Sequence, residues 1–280
     1  MIIDFHTHIF PDAIAASTIA KLGGISHTKA FTDGSAQGLL NSMAQAGIDL
    51  SILLPVATRP GQCASINNFA AKVNGAGGPL LSLGGVHPDD PNLEEELERM
   101  VELGLKGVKI HPCYQGVDLD DPRYLRLLRK AQQLDLLVVA HAGLDIGFPG
   151  VNRCSPRMLR QVLDKIGPIK LVAAHMGGWK LWDEVMEYLP DTGVYLDTAF
   201  GFLSIPHLGD GHYAPEELPL LSEDAFLAMV DRFGADHILF GSDSPWRSQE
   251  EDLNWLRHIS LSPEAKRAIL GENGAKLLKL

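Results

Sequence analysis

The chain is short of cysteine, positive charge and long apolar runs, and each shortage excludes something. Three cysteines in 280 residues, Cys63, Cys113 and Cys154, cannot form a disulfide framework, because the number is odd and the spacing loose. A reducing cytoplasm suits them best. Lys and Arg total 24 against 35 Asp and Glu, a formal net charge of −11. No basic stripe is available to neutralise phosphates, so no nucleic-acid partner is expected. No apolar run approaches the roughly 20 residues that cross a membrane. Met1 leads directly into an apolar segment, without the basic region or cleavage site of a secretory signal. The expectation is a soluble cytoplasmic protein whose partner is a small molecule, with a homo-oligomer left open.

What is present is ordinary globular material, 45% hydrophobic and 21% charged, with no break in composition along it. Residues 1–280 are therefore read as one domain. Eight short apolar runs recur: 2–8, 51–56, 80–86, 105–111, 136–142, 169–175, 194–199 and 237–243. Most are continuous rather than alternating, as strands buried on both faces are. Helical segments lie between them, several with clear start signals. Ser35 stands before one, Asp121-Pro122 before another, and Ser155-Pro156 before a third. Gly104 marks a helix end. Alternation of this kind predicts α/β architecture and a single (β/α)8 TIM barrel, with an open doubly wound sheet as the alternative. The longest irregular piece, 200–220, predicts a functional loop.

In such a barrel the C-terminal ends of the strands converge on one mouth. The first run is "IIDFHTHIFP". Period-two alternation puts Asp4, His6 and His8 on one face, and two imidazoles on a rigid strand are half a metal site. The later strand ends carry His87, Lys109, His111, His141, His175, Asp197 and Asp243. Six of the eleven histidines thus fall at strand ends. His141 and Asp243 are the expected partners of His6 and His8. Neutral imidazoles with a carboxylate suit one divalent transition ion, zinc first, with a position left for an activated water.

At these residues the chain resembles the amidohydrolase superfamily. It is similar to the amidohydrolase-2 branch of aminocarboxymuconate-semialdehyde decarboxylase-like metal-dependent hydrolases. The resemblance rests on "DFHTHIFP", "GVKIHPCYQGVDLDDP", "VVAHAG", "AAHMGG", "ILFGSDSPW" and "ILGENGAKLL", in that order. It implies that His6, His8, His141 and Asp243 hold the metal and that His175 stands beside it. Two-metal members carry a carboxylated lysine on strand four, whereas this branch usually uses one metal. Lys109 is read as an unmodified ammonium. His111 is read as fixing its loop or touching substrate.

Arg153, His207, His212, Tyr213 and Trp246 are the loop candidates for substrate contact, Arg153 through a substrate carboxylate. Cys113 and Cys154 are read as passive, and Asn273 as pinning the last helix. The expected activity is hydrolysis of an amide, ester or lactone carbonyl in a small carboxylate-bearing molecule. Asp243 would take the water proton and His175 would stabilise the oxyanion. The alternative within the same branch is non-oxidative decarboxylation of an aromatic or dienoic acid. A ligand-binding protein without catalysis is the third reading, which the intact donor set disfavours.

Overall fold

A computed structural model describes residues 1–280. In chain order the elements are β1 (Ile3–Thr7), α1 (Asp12–Ser26), α2 (Ala36–Ala46), β2 (Leu50–Leu53), α3 (Cys63–Gly75), β3 (Leu80–Ser82) and β4 (Gly84–Gly85). Then come α4 (Leu93–Glu102), β5 (Gly107–Ile110), α5 (Pro112–Gln115), α6 (Pro122–Gln133), β6 (Leu137–Ala140), α7 (Pro156–Ile166), β7 (Leu171–Ala173), α8 (Trp182–Tyr188) and β8 (Tyr195–Asp197). The last elements are α9 (Glu223–Phe233), β9 (Ile238–Leu239), α10 (Gln249–His258), α11 (Pro263–Arg267) and α12 (Asn273–Leu278).

The start signals act as their chemistry demands. Ser35 accepts from the Gly38 amide, Asp121 from the Arg123 amide and Ser155 from the Met158 amide. Each satisfies one of the donors that a helix start leaves without an internal partner. The third apolar run differs from expectation, since it divides at Leu83 into β3 and β4. Helices α1, α3 and α8 also went unread. Their sequences lack a strong apolar stripe, and α1 is built largely of small residues. The final helical stretch is interrupted, because Ala268–Glu272 widens into a π-helical turn.

The chain divides into two compact units, Met1–Ser51 with Thr198–Leu280, and Ile52–Asp197. In the second unit β4 to β8 form a parallel ladder. Val108 lies opposite Gly84 and Val138, Leu171 opposite Val138, and Tyr195 opposite Val172. Helices α4, α6 and α7 connect its strands, so β5 and β6 are fully buried; β6 reads as a continuous apolar run, and β5 is broken only by Lys109. Leu127, Leu97 and Val162 are among the side chains buried in this unit.

In the first unit β1 runs beside the segment that follows β9. The Phe5 amide donates to Phe240 O at 2.7 Å, the Asp243 amide to His6 O at 2.8 Å and the His8 amide to Ser244 O at 2.7 Å. Gly241 permits this approach, since a Cβ there would lie 2.8 Å from His6 Cβ. Phe202 stacks on Trp255 at 3.8 Å and meets Phe226 edge-on at 5.2 Å, which fills the core on the α9 and α10 side. Asn273, the first residue of α12, donates to Ala235 O and Ile238 O and pins that helix as expected. No helix of the chain is long and apolar enough to cross a membrane.

Candidate active site

In the first unit the end of β1 delivers His6 and His8, and the turn after β9 delivers Asp243. His6 Nε2 lies 3.3 Å from Asp243 Oδ1, and His8 Nε2 lies 3.2 Å from the same oxygen. The two rings meet edge-on with centroids 5.1 Å apart. Asp243 has φ +71°, a left-handed conformation that aspartate tolerates better than most residues. It turns the chain sharply after β9 and brings the carboxylate back to His6 and His8 of the β1 end. Two nitrogens and one oxygen converging in a mostly buried place are the donor complement of a divalent transition ion. These three residues therefore fit the metal that the sequence implies.

A buried hydrogen-bond layer supports the triad. Asp4 accepts from the Ser242 amide at 2.9 Å, Ser242 Oγ at 2.5 Å, Gln249 Nε2 at 2.8 Å and the His6 amide at 3.2 Å. Burial still outweighs these bonds and raises its carboxyl to about 6. Asp4 ties β1 to the 242–249 segment, and so fixes His6 relative to Asp243.

In the second unit His111 follows β5, His141 follows β6 and His175 follows β7. The rings of His111 and His141 stack at 4.0 Å. His175 Nε2 lies 2.9 Å from His141 Nδ1. His175 and Met176 both take positive φ, +60° and +55°. Asp197 holds that strained pair, its Oδ1 accepting from the His175 amide at 2.9 Å and its O from the Met176 amide at 2.6 Å. Burial, reinforced by His111 and His175, holds the His141 imidazole well below its ordinary pKa, so the ring is a neutral nitrogen donor. Asp145 places Oδ2 3.3 Å from His111 Nε2 and 3.5 Å from His141 Nε2. Lys109 is buried on β5, 1% exposed.

Gln115 organises the loop ends of this unit. Its Nε2 donates to Ala57 O at 2.9 Å and to Val86 O at 2.6 Å. Its Oε1 accepts from the His111 amide at 2.9 Å and from the Tyr124 hydroxyl. One buried amide thus joins the turns after β2, β4 and β5.

A family model described as amidohydrolase, of the amidohydrolase-2 branch, matches residues 3–280. The chain belongs to this family. Solved structures share its fold. A TIM-barrel protein from Bordetella bronchiseptica superposes with a TM-score of 0.74 at 18% identity, covering 99% of this chain and 98% of that one. A dihydroxybenzoic acid decarboxylase from Polaromonas, with bound manganese and the inhibitor 2-nitroresorcinol, gives 0.67 at 17% identity over 100% and 97% of the two chains. A 2-pyrone-4,6-dicarboxylic acid hydrolase from Pseudomonas putida, itself a provisional assignment, gives 0.67 at 18% identity over 99% and 97%. No curated protein sequence matches the chain significantly. The fold class is α/β, of the TIM-barrel kind.

The remaining candidates of this amidohydrolase have local partners. Arg153 donates to Asp118 at 2.7 Å and is half-exposed. His212 stacks on His27 at 3.7 Å, and His27 Nδ1 lies 2.7 Å from Asp210 Oδ2. The Tyr213 hydroxyl donates to Ser26 O, and His207 Nδ1 accepts from the Gly209 amide. Three loop candidates of the 200–220 segment are thereby engaged locally, His212 and Tyr213 with the C-terminal turn of α1. Trp246 is held beside the triad, its amide donating to Asp243 O at 2.9 Å. His111 caps α5, its Nδ1 accepting from the Tyr114 amide. His87 takes the same kind of role, accepting from the Asp89 amide.

Sequence reasoning missed Asp145, Gln115 and the supporting part of Asp4. Asp145 left one signal, an acid four residues beyond a strand-end histidine. Gln115 left none, because its partners are backbone groups from distant turns.

Proposed function

We propose that this amidohydrolase is a metal-dependent hydrolase acting on an amide, ester or lactone carbonyl of a small carboxylate-bearing molecule. The observation that carries the reading is the convergence of His6 Nε2 and His8 Nε2 on one oxygen of Asp243. The proposed donors of a single ion, zinc first, are His6, His8 and Asp243, with His141 added on the resemblance. When bound, such an ion polarises a carbonyl oxygen and lowers the pKa of water. Asp243 takes the proton of the attacking water and passes it to the leaving group. His175 stabilises charge that develops on the carbonyl oxygen. Lys109, His111, Arg153, His212 and Trp246 are the proposed substrate contacts. Arg153 exchanges Asp118 for a substrate carboxylate, the bidentate partner its guanidinium suits.

A second reading, non-oxidative decarboxylation of an aromatic or dienoic acid, is favoured by the likeness to the manganese-containing dihydroxybenzoic acid decarboxylase. Fold likeness at this identity does not choose between the chemistries. The deciding experiment is a panel of lactones, amides, esters and aromatic acids, assayed with zinc or manganese and with chelator. Ring opening or acyl cleavage that chelator abolishes supports the first reading. Release of carbon dioxide without hydrolysis replaces it by the second.

A further inference from the structure

Asp243 is the one side chain to which the proposed function gives two tasks, holding the ion and taking a proton from water. It stands in a left-handed turn, φ +71°. A single aspartate adopts that conformation at some cost, so the turn needs support from the structure around it. The contacts with β1 supply part of that support. The Asp243 amide donates to His6 O at 2.8 Å and the His8 amide to Ser244 O at 2.7 Å. These bonds set the segment beside β1. They do not use the amides of Ser242 and Ser244, which stand on either side of Asp243.

One buried side chain takes up both. The Ser242 amide donates to Asp4 Oδ1 at 2.9 Å, and the Ser242 hydroxyl donates to Asp4 Oδ2 at 2.5 Å. The same hydroxyl oxygen accepts from the Ser244 amide at 3.0 Å. An amide only donates, and a hydroxyl has one proton, which the carboxylate receives; its lone pair is then left for Ser244. Ser242 Oγ therefore closes a ring across Asp243, the turn that a serine side chain makes with the amide two residues ahead. Asp4 anchors this ring and ties it to β1, because its Oδ1 also accepts from the His6 amide at 3.2 Å. Gln249 Nε2 steadies the other oxygen, Oδ2, at 2.8 Å. Every residue of the arrangement belongs to the first compact unit.

We propose that Ser242 is a positioning residue: its hydroxyl, anchored on Asp4, holds the left-handed turn that brings the Asp243 carboxylate to His6 and His8. This rests on the reading that Asp243 is a donor of the metal. Groups that orient metal-binding side chains without touching the ion cost about 10–100-fold in metal affinity when they are removed. Alanine at 242 keeps the contacts with β1 and the Ser242 amide bond, but leaves the buried Ser244 amide without its acceptor. The turn then loses the bond that spans it, and the carboxylate loses its fixed direction.

The test uses the full chain. Zinc affinity is measured by chelator competition for wild type, Ser242→Ala and Asn273→Ala, each at a temperature where its metal-free form is folded. Asn273→Ala is the control: it removes two hydrogen bonds of the same unit, to Ala235 O and Ile238 O rather than to the 242–244 turn. Both substitutions are expected to lower the metal-free melting temperature. Only Ser242→Ala is expected to weaken zinc, by about 10–100-fold. Cobalt(II) in place of zinc reports ligand geometry through its visible absorption, and its spectrum should shift in Ser242→Ala alone. Zinc affinity equal to wild type in Ser242→Ala, or equal weakening in the control, overturns the proposal. If Ser242→Ala does not fold, amide hydrogen exchange in metal-free wild type decides. The Ser244 amide is expected to exchange as slowly as those of His8 and Asp243, and free exchange there overturns the proposal. A wild-type protein that takes up no zinc, or a His6→Ala variant that keeps it, refutes the proposed function instead. Exchange at Ser244 still judges the arrangement around Ser242 in that case.

Discussion

His8 Nε2 lies 3.2 Å from Asp243 Oδ1, although 235 positions separate the two residues in the chain. The first strand and the turn after the last one are brought side by side, and the contact carries the metal hypothesis. His6→Ala, His8→Ala and Asp243→Ala are each expected to lose bound metal and activity together. Metal analysis of purified protein checks this. Zinc at 100 times its dissociation constant is expected to stabilise the wild type by about 2.7 kcal/mol, and the three variants much less. Full metal content in any of the three removes that residue from the donor set.

His175 is expected to behave differently. His175→Asn keeps the metal but loses activity by about 10²–10⁴-fold, the range for an acid–base or oxyanion group. Metal content and rate are measured on the same preparation. Loss of metal equal to that of His6→Ala makes His175 a ligand, and an unchanged rate makes it a packing residue.

Arg247 and Asp252 form an ion pair with 3% and 0% side-chain exposure. Arg247 also donates to Ser204 O at 3.0 Å, which ties the 200–220 segment to α10. Asp252→Ala strands a buried guanidinium and is expected to cost about 3–5 kcal/mol in denaturant unfolding. The double variant Arg247→Met with Asp252→Leu is expected to recover part of that loss. A single-variant cost under about 1 kcal/mol rejects the assignment, because that is what an exposed pair is worth.

The three cysteines are expected to be inert. Burial pushes the Cys63 thiol up to about 12 and the Cys113 thiol up to about 11, and lifts Cys154 further still. The thiolate is the reactive form, so at pH 8 the folded protein should resist iodoacetamide. Mass spectrometry should find no alkylation before denaturation and three sites after it. Rapid labelling of any one in the folded protein refutes the passive reading.

The division into two compact units falls inside β2, between Ser51 and Ile52. One strand therefore contributes to both. The proposed single domain predicts one cooperative thermal transition, coincident by circular dichroism and tryptophan fluorescence. Two separated transitions would show that the units fold independently.

Much of the architecture was readable because its causes are local. A capping serine or aspartate, followed in α6 and α7 by a proline, acts within one turn, so α2, α6 and α7 announce their starts. Buried parallel strands are mostly apolar runs, which makes β6 plain and leaves β1 and β5 legible around Asp4, His6 and Lys109. The candidate donor residues stood out for a related reason: a histidine ending an apolar run stands at a strand's end wherever that strand lies. Packing of weakly patterned segments was not readable, as α1 and α3 show. Contacts between distant turns were equally hidden. No sequence pattern says that the Asp197 carboxylate meets the His175 amide, or that the Gln115 side chain joins Ala57 O and Val86 O. Those relations depend on where backbone groups of separate turns lie within about 3 Å of a side chain, a distance over which a hydrogen bond forms or fails. Composition and order name the chemical groups; folding sets which lone pair faces which proton.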